Sequence, residues 1–207
     1  MLPASLFAQS ASVITFQPAI DDSRYLSIYG SQTLQPWQFR SGFYLNYATN
    51  PLEVGLTTRR AGLVEKLVVG DFFGSVGLTD WMEAGFDLPV VLWGSGTNFT
   101  TGQGSSFTVL GDLRLETKFR LVDADRYGVG VAILPYVLIP TGDGNLLNVN
   151  PATSDIGRVG AGNDSFAGGG TLIADVDIYH RVQVAANFGF LARRRVTVFN
   201  ADLGHQF

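Results

Sequence analysis

The chain has 207 residues, 46% of them apolar, with 14 Lys and Arg against 18 Asp and Glu and a formal net charge of −4 at pH 7. This much apolar material excludes an intrinsically disordered segment, and the length suits one domain around one core. The acidic balance leaves no basic stripe for a phosphate backbone, so no nucleic-acid partner is expected, and the lack of cysteine removes thiolate zinc sites and disulfides.

The opening MLPASLFAQSA looks like the end of a secretion signal, with Ala8 in a small-residue setting suited to cleavage and no basic stretch before it. Residues 1–8 are expected to be a signal-peptide remnant, 9–36 an amino-terminal arm and 37–207 an all-β barrel domain. From Trp37, large apolar side chains alternate with polar or small ones: Phe39, Phe43, Leu45 and Tyr47 against Gln38, Arg40, Gly42 and Asn46. A period of two marks a strand with two unlike faces, and a helix would scatter them. Residues 67–78 set Val68, Gly70, Phe72, Gly74 and Val76 on one face and Asp71 on the other. Residues 82–92 set Phe86 and Leu88 against Glu83 and Asp87.

In 113–121 every second residue is charged, with Leu115 and Phe119 opposed to Arg114, Glu116, Lys118 and Arg120 and preceded by Asp112. The longest apolar run, Gly128 to Pro140, is interrupted by Pro135 and is too short for a membrane helix. It reads as a strand over 127–139 with Val129, Val131, Ile133 and Val137 outward. Residues 171–178 oppose Leu172 and Val176 to Asp175 and Asp177, and 182–190 carry Val182, Val184, Phe188 and Phe190 on one face. An eighth strand is expected at 199–207, with Phe199, Leu203 and Phe207 opposed to Asp202.

The predicted connections alternate in length. Turns are short after the second, fourth and sixth strands (78–80, 122–126, 179–181), and loops are long after the first, third and fifth (49–62, 94–106, 141–166). This asymmetry belongs to outer-membrane barrels, although the connection after the seventh strand, around Ala192 to Arg195, is short on the long-loop side. From Trp81 to Trp93, twelve steps of about 3.3 Å tilted by roughly 40° reach about 30 Å along a membrane normal, close to an apolar band of about 25 Å with its rims. The expected fold is an antiparallel up-and-down transmembrane β-barrel of eight strands in the bacterial outer membrane.

On that reading Arg40, Asp71, Glu83, Asp87, Asp112, Arg114, Glu116, Lys118, Arg120, Asp175, Asp177 and Asp202 point into the lumen. A barrel of eight strands has room only for side chains, so these charges are expected to pair with one another across it. Gly70, Phe72, Gly74, Phe86, Leu88, Phe119, Phe188, Phe199 and Phe207 are the candidates for contact with outer-membrane lipid or with a second protomer in a homo-oligomer. Nothing here resembles a catalyst: His180 and His205 stand apart from any serine and acid constellation. The acidic pairs 21/22, 123/125 and 175/177 and the TGDGN loop match no complete calcium loop, so neither metal nor cofactor is expected.

Three segments, FQPAIDDSRYLSIYGSQTLQPWQFRSGFYLNYATNPLEVG from Phe16, VGLTDWMEAGFDLPVVLW from Val76 and ILPYVLIPTGDG from Ile133, resemble the amino-terminal barrel of OmpA-family outer-membrane proteins. Its motifs are diffuse: NPLE at Asn50 to Glu53, GLTDWMEAGFDLP at Gly77 to Pro89 and LIPTG at Leu138 to Gly142. The resemblance implies a barrel and no chemistry. The peptidoglycan-binding domain that follows such barrels has no counterpart in these residues, so it lends no wall-anchoring role. Family barrels with more strands leave open that the chain is part of a larger pore. The expected function is a non-catalytic integral outer-membrane protein with a structural, adhesive or lipid-organising role. The alternatives are a porin-like channel for small solutes and a soluble β-barrel binding an apolar ligand.

Overall fold

The computed structural model describes residues 10–12, 14, 16–21, 25–55, 60–97, 104–142, 158–162, 165–178, 182–193, 196–198 and 201–203. Among the described residues the chain is all-β apart from one short helical turn. After β1 (Ser10–Ser12) come β2 (Phe39–Gly55), β3 (Arg60–Thr79), β4 (Met82–Thr97), β5 (Gly104–Leu110) and β6 (Leu113–Val122). The turn α1 (Ala124–Tyr127) leads to β7 (Val129–Ile139), β8 (Arg158–Gly160), β9 (Ala167–Ile178), β10 (Val182–Ala192), β11 (Val196–Val198) and β12 (Ala201–Leu203).

Eight strands form one antiparallel up-and-down sheet in the order β10-β9-β7-β6-β4-β3-β2, with β5 also paired to β4. It curls into a half-barrel. β5 and β6 are one stave broken at Gly111–Asp112, because β4 pairs with β5 through residues 90–97 and with β6 through 82–87. Every step across the sheet reverses direction, so the edge strands β2 and β10 run the same way. Among the described residues β11 and β12 pair with each other and not with these edges. The strand expected at 199–207 falls largely outside the described residues, as does the turn at 179–181.

The strands run past the expected boundaries on the long-loop side. β2 continues to Gly55 through register shifts after Thr49, where Asn50 takes a left-handed φ of 49°, and much of the expected loops 49–62 and 94–106 is strand. β3 alone has 20 residues, which at about 3.3 Å per residue and a tilt of roughly 40° rises nearly 50 Å, well beyond an apolar band of about 25 Å. At the opposite end the connections are tight. Asp123 caps α1 by accepting from the Asp125 N–H, and Gly128, at φ 72°, ends it.

The outer face of this sheet is apolar, and its inner face buries ionisable residues beside apolar clusters. Outward residues such as Leu45, Phe72, Phe86, Ile133, Leu172 and Phe188 are exposed, while Asp71, Glu83, Asp87, Arg114, Glu116, Lys118 and Asp175 are buried. Gly70 and Gly74 belong to the outward face and are buried, because rings from neighbouring strands cover them. A Cβ on Gly70 would stand 2.6 Å from Phe43, and one on Gly74 2.8 Å from Phe86. The space above both glycines is therefore filled from within the chain, which corrects the reading of them as room for a lipid or a second protomer. Trp81, whose parity in the sequence is that of the polar face, sits in the turn between β3 and β4 and stacks outward on Phe119 at 6.1 Å.

Candidate functional site: an arm-filled lumen

What fills the concave side is not the wall charges alone but the arm, described at residues 14, 16–21 and 25–38. Four wall glycines mark its path: a Cβ on Gly111 would meet Ile14, one on Gly85 Ile20, one on Gly130 Ser31 and one on Gly77 the carbonyl of Gln35. The last is a close backbone approach only glycine allows, and it seats the turn by which the arm becomes the wall. Trp37 N–H donates to the Gly77 carbonyl at 2.8 Å, Gly77 N–H to the Gln38 carbonyl at 3.0 Å, and Gln38 N–H to the Gln35 carbonyl at 3.0 Å. Trp37 takes φ 63° at the third position of this turn, where a left-handed residue after proline is required.

At the long-loop end the lumen is apolar: Val64, Leu67, Val69, Val91 and Ala161 form a buried cluster against which Ile14 packs. In the middle, Ala19, Ile20 and Tyr29 of the arm join Phe73, Ala132, Leu134 and Ile173 of the wall. Around and below this cluster lie the charges. Lys118 Nζ is 2.8 Å from Asp21 Oδ2 and 3.6 Å from Glu83 Oε2. Asp21 also accepts the Gly30 N–H at 3.0 Å, and its carbonyl accepts from Arg40.

Arg114 Nη2 pairs with Glu116 Oε2 at 2.7 Å, and the Tyr29 hydroxyl accepts from Arg114 at 3.1 Å while donating to Glu116 at 2.9 Å. The Arg114 guanidinium lies over the Tyr136 ring at 4.8 Å. Ser31 gives Asp175 both its N–H and its hydroxyl, each at 2.7 Å, and Leu34 N–H donates to Glu83 at 2.9 Å. At the short-turn rim Arg120 reaches Gln32 Oε1 at 2.8 Å and Asp123 at 3.9 Å.

Of the candidates named from the sequence, Asp71, Glu83, Asp87, Asp112, Arg114, Glu116, Lys118 and Asp175 are buried, and Arg40, Arg120 and Asp177 are half-buried. The Asp202 side chain lies outside the described residues. Phe72, Phe86 and Phe188 are exposed and Leu88 and Phe119 half-buried; Phe199 and Phe207 lie outside the described residues, as do His180 and His205. The expectation that the charges pair across the lumen needs correction. Arg114–Glu116 is a same-strand pair, Lys118–Glu83 joins directly opposed residues of β6 and β4, Asn46 and Asp123 outside the arm serve Asp71 and Arg120, and Asp21, Tyr29, Ser31 and Leu34 of the arm supply further partners. Tyr29, Ser31 and Leu34 are invisible to pattern, since the arm carries no strand period, and Asp21 stands out only as half of the acidic pair 21/22.

Three buried atoms, Asp71 Oδ1, Asp87 Oδ1 and Arg114 Nε, have no hydrogen-bond partner among the described residues, although Asn46 donates to the other Asp71 oxygen at 2.9 Å. Among the described residues no three acidic, His or Cys side chains group as metal ligands would. No protein-family model, no curated protein and no solved structure matches the chain.

Proposed function

We propose that the protein is a non-catalytic integral outer-membrane β-barrel with a structural or lipid-organising role, its interior occupied by its own arm. The observation that carries this reading is the inverted burial: aromatic and aliphatic side chains outward along every long strand, ion pairs and carboxylates within. In water a continuous apolar face of this kind would be an aggregation hazard, since soluble monomers rarely expose apolar patches beyond about a few hundred Å². In lipid it is the required solvent-facing surface. A soluble barrel with an apolar ligand would need the opposite arrangement. The resemblance to OmpA-family barrels belongs to this proposal.

Lipid leaves no place for unpaired strand edges. Because β2 and β10 run in the same direction, the wall is completed by an odd number of added strands, and residues 199–207 have the alternation for one. A homo-oligomer draws no support from Gly70 and Gly74, whose outer space is taken by Phe43 and Phe86. The test is to place arginine on the outward face at mid-strand, as in Phe72→Arg and Ile133→Arg. Each should cost about 2–4 kcal/mol in bilayers. Full tolerance of both, with the protein extractable into aqueous buffer, would remove the membrane reading.

A further inference from the structure

The arm leaves a different lumen behind when it is withdrawn. We propose that it is the removable plug of a cation-selective passage, one that takes hydrated inorganic cations and small ammonium ions; the proposal rests on the membrane-barrel reading above. Three observations converge on it.

The first is space. A barrel filled by wall side chains alone could not admit a polypeptide, yet this half-barrel holds arm residues 16–21 and 25–38 over inward glycines, of which Gly85 lies under Ile20 and Gly130 under Ser31. Removing the arm opens a track as wide as a peptide chain. The second is charge. Six wall acids, Asp71, Glu83, Asp87, Asp112, Glu116 and Asp175, are buried against two wall bases, Arg114 and Lys118, an excess of four acids. Counting the half-buried Asp177, Arg40 and Arg120 makes seven acids against four bases and still leaves three. Both buried bases keep a wall partner without the arm, Glu116 for Arg114 and Glu83 for Lys118.

The third is how the arm satisfies the wall. It gives hydrogen-bond donors to carboxylates: Tyr29 to Glu116, Ser31 to Asp175 and Leu34 to Glu83. Even with the arm seated, Asp71 and Asp87 each keep a buried oxygen without a donor among the described residues. Once the arm leaves, these groups demand water and cations. A narrow, low-dielectric passage with that excess concentrates counter-ions and repels anions.

The experiment uses the full chain reconstituted in planar bilayers with potassium chloride. Asp21→Lys sets a like charge against Lys118 and breaks the hold on Gly30, and Ser31→Asp sets a second carboxylate against Asp175; both retain every wall acid. Since the sequence has no native cysteine, Ser31→Cys with Asp175→Cys ties the arm to the wall on oxidation. The unmodified chain should be silent, and both arm-releasing variants should conduct, with potassium favoured over chloride by about tenfold. Asp21→Lys added to the oxidised cysteine pair should stay silent and open on reduction. Silence of both arm-releasing variants, or anion preference in either, overturns the proposal. So does conduction by the oxidised tethered form. Heat-dependent gel migration of every variant is read first. Loss of that shift in the unmodified chain strikes the membrane reading, whereas an intact shift with silent variants strikes only the plug.

Discussion

Replacing Lys118 by methionine keeps the length of the side chain and removes its charge, which isolates what the buried cluster does. At an effective dielectric constant of about 20, its 2.8 Å contact with Asp21 and 3.6 Å contact with Glu83 correspond to Coulomb terms of roughly 6 and 5 kcal/mol. Desolvating three ions offsets most of this, so the intact cluster adds little net stability. Removing only the cation is another matter, because it leaves two carboxylates within the lumen with no ammonium between them. Lys118→Met should therefore cost about 3–5 kcal/mol, expressed first as undocking of the arm and not as loss of the sheet. The triple variant Lys118→Met, Asp21→Asn, Glu83→Gln should recover all but about 1–2 kcal/mol, since no charge remains unpaired. The assay is urea unfolding in lipid vesicles followed by tryptophan fluorescence, with proteolysis of the amino-terminal arm reporting its release. A loss below about 1 kcal/mol in the single variant, with the arm still protected, would refute the reasoning.

Tyr29→Phe removes the hydroxyl that Arg114 and Glu116 share and should cost about 1–3 kcal/mol by leaving buried groups unsatisfied; an unchanged unfolding midpoint would show that water replaces it at no cost. Gly74→Ala puts a methyl 2.8 Å from the Phe86 ring and should destabilise by about 1–3 kcal/mol. Phe86→Leu in the same chain should restore much of that, whereas a changed native mass in detergent would return Gly74 to a protomer contact. Trp37→Gly should relieve about 1–2 kcal/mol of left-handed strain. Its net effect, read by thermal unfolding, should be stabilising in detergent and smaller in bilayers, where the exposed indole is lost from the interface.

The alternation of the wall was legible because a face toward one solvent must be uniform along a strand. Asp71 between Gly70 and Phe72, or Glu116 between Leu115 and Thr117, leaves no other strand reading. Val129 to Ile139 was harder, being apolar on both faces. Gly130 and Ala132 pointed to the inner one, where the structure also buries Leu134 and Leu138. Val69 and Val91 have inward parity in a lumen otherwise read as charged, and pattern offers no reason for them; their reason is Ile14 of the arm. The arm itself escaped because Asp21, Tyr29 and Ser31 act singly, at no fixed spacing. Two signals pointed to it: an excess of acids on the inner face that needed donors from elsewhere, and inward glycines at 77, 85 and 130, which a wall filled only by its own side chains has no use for. The long-loop limits of β2, β3 and β4 were missed because bulges after Thr49 and near Leu92 break the period.

The claim on which everything rests is that the outer face of this sheet meets lipid. Single cysteines at Leu45, Phe72, Phe86, Ile133, Leu172 and Phe188, carrying spin labels in reconstituted bilayers, test it most directly by comparing relaxation from lipid-soluble oxygen with that from a water-soluble nickel chelate. All six positions should be open to oxygen and shielded from nickel; nickel access at all six would place the face in water and contradict the account.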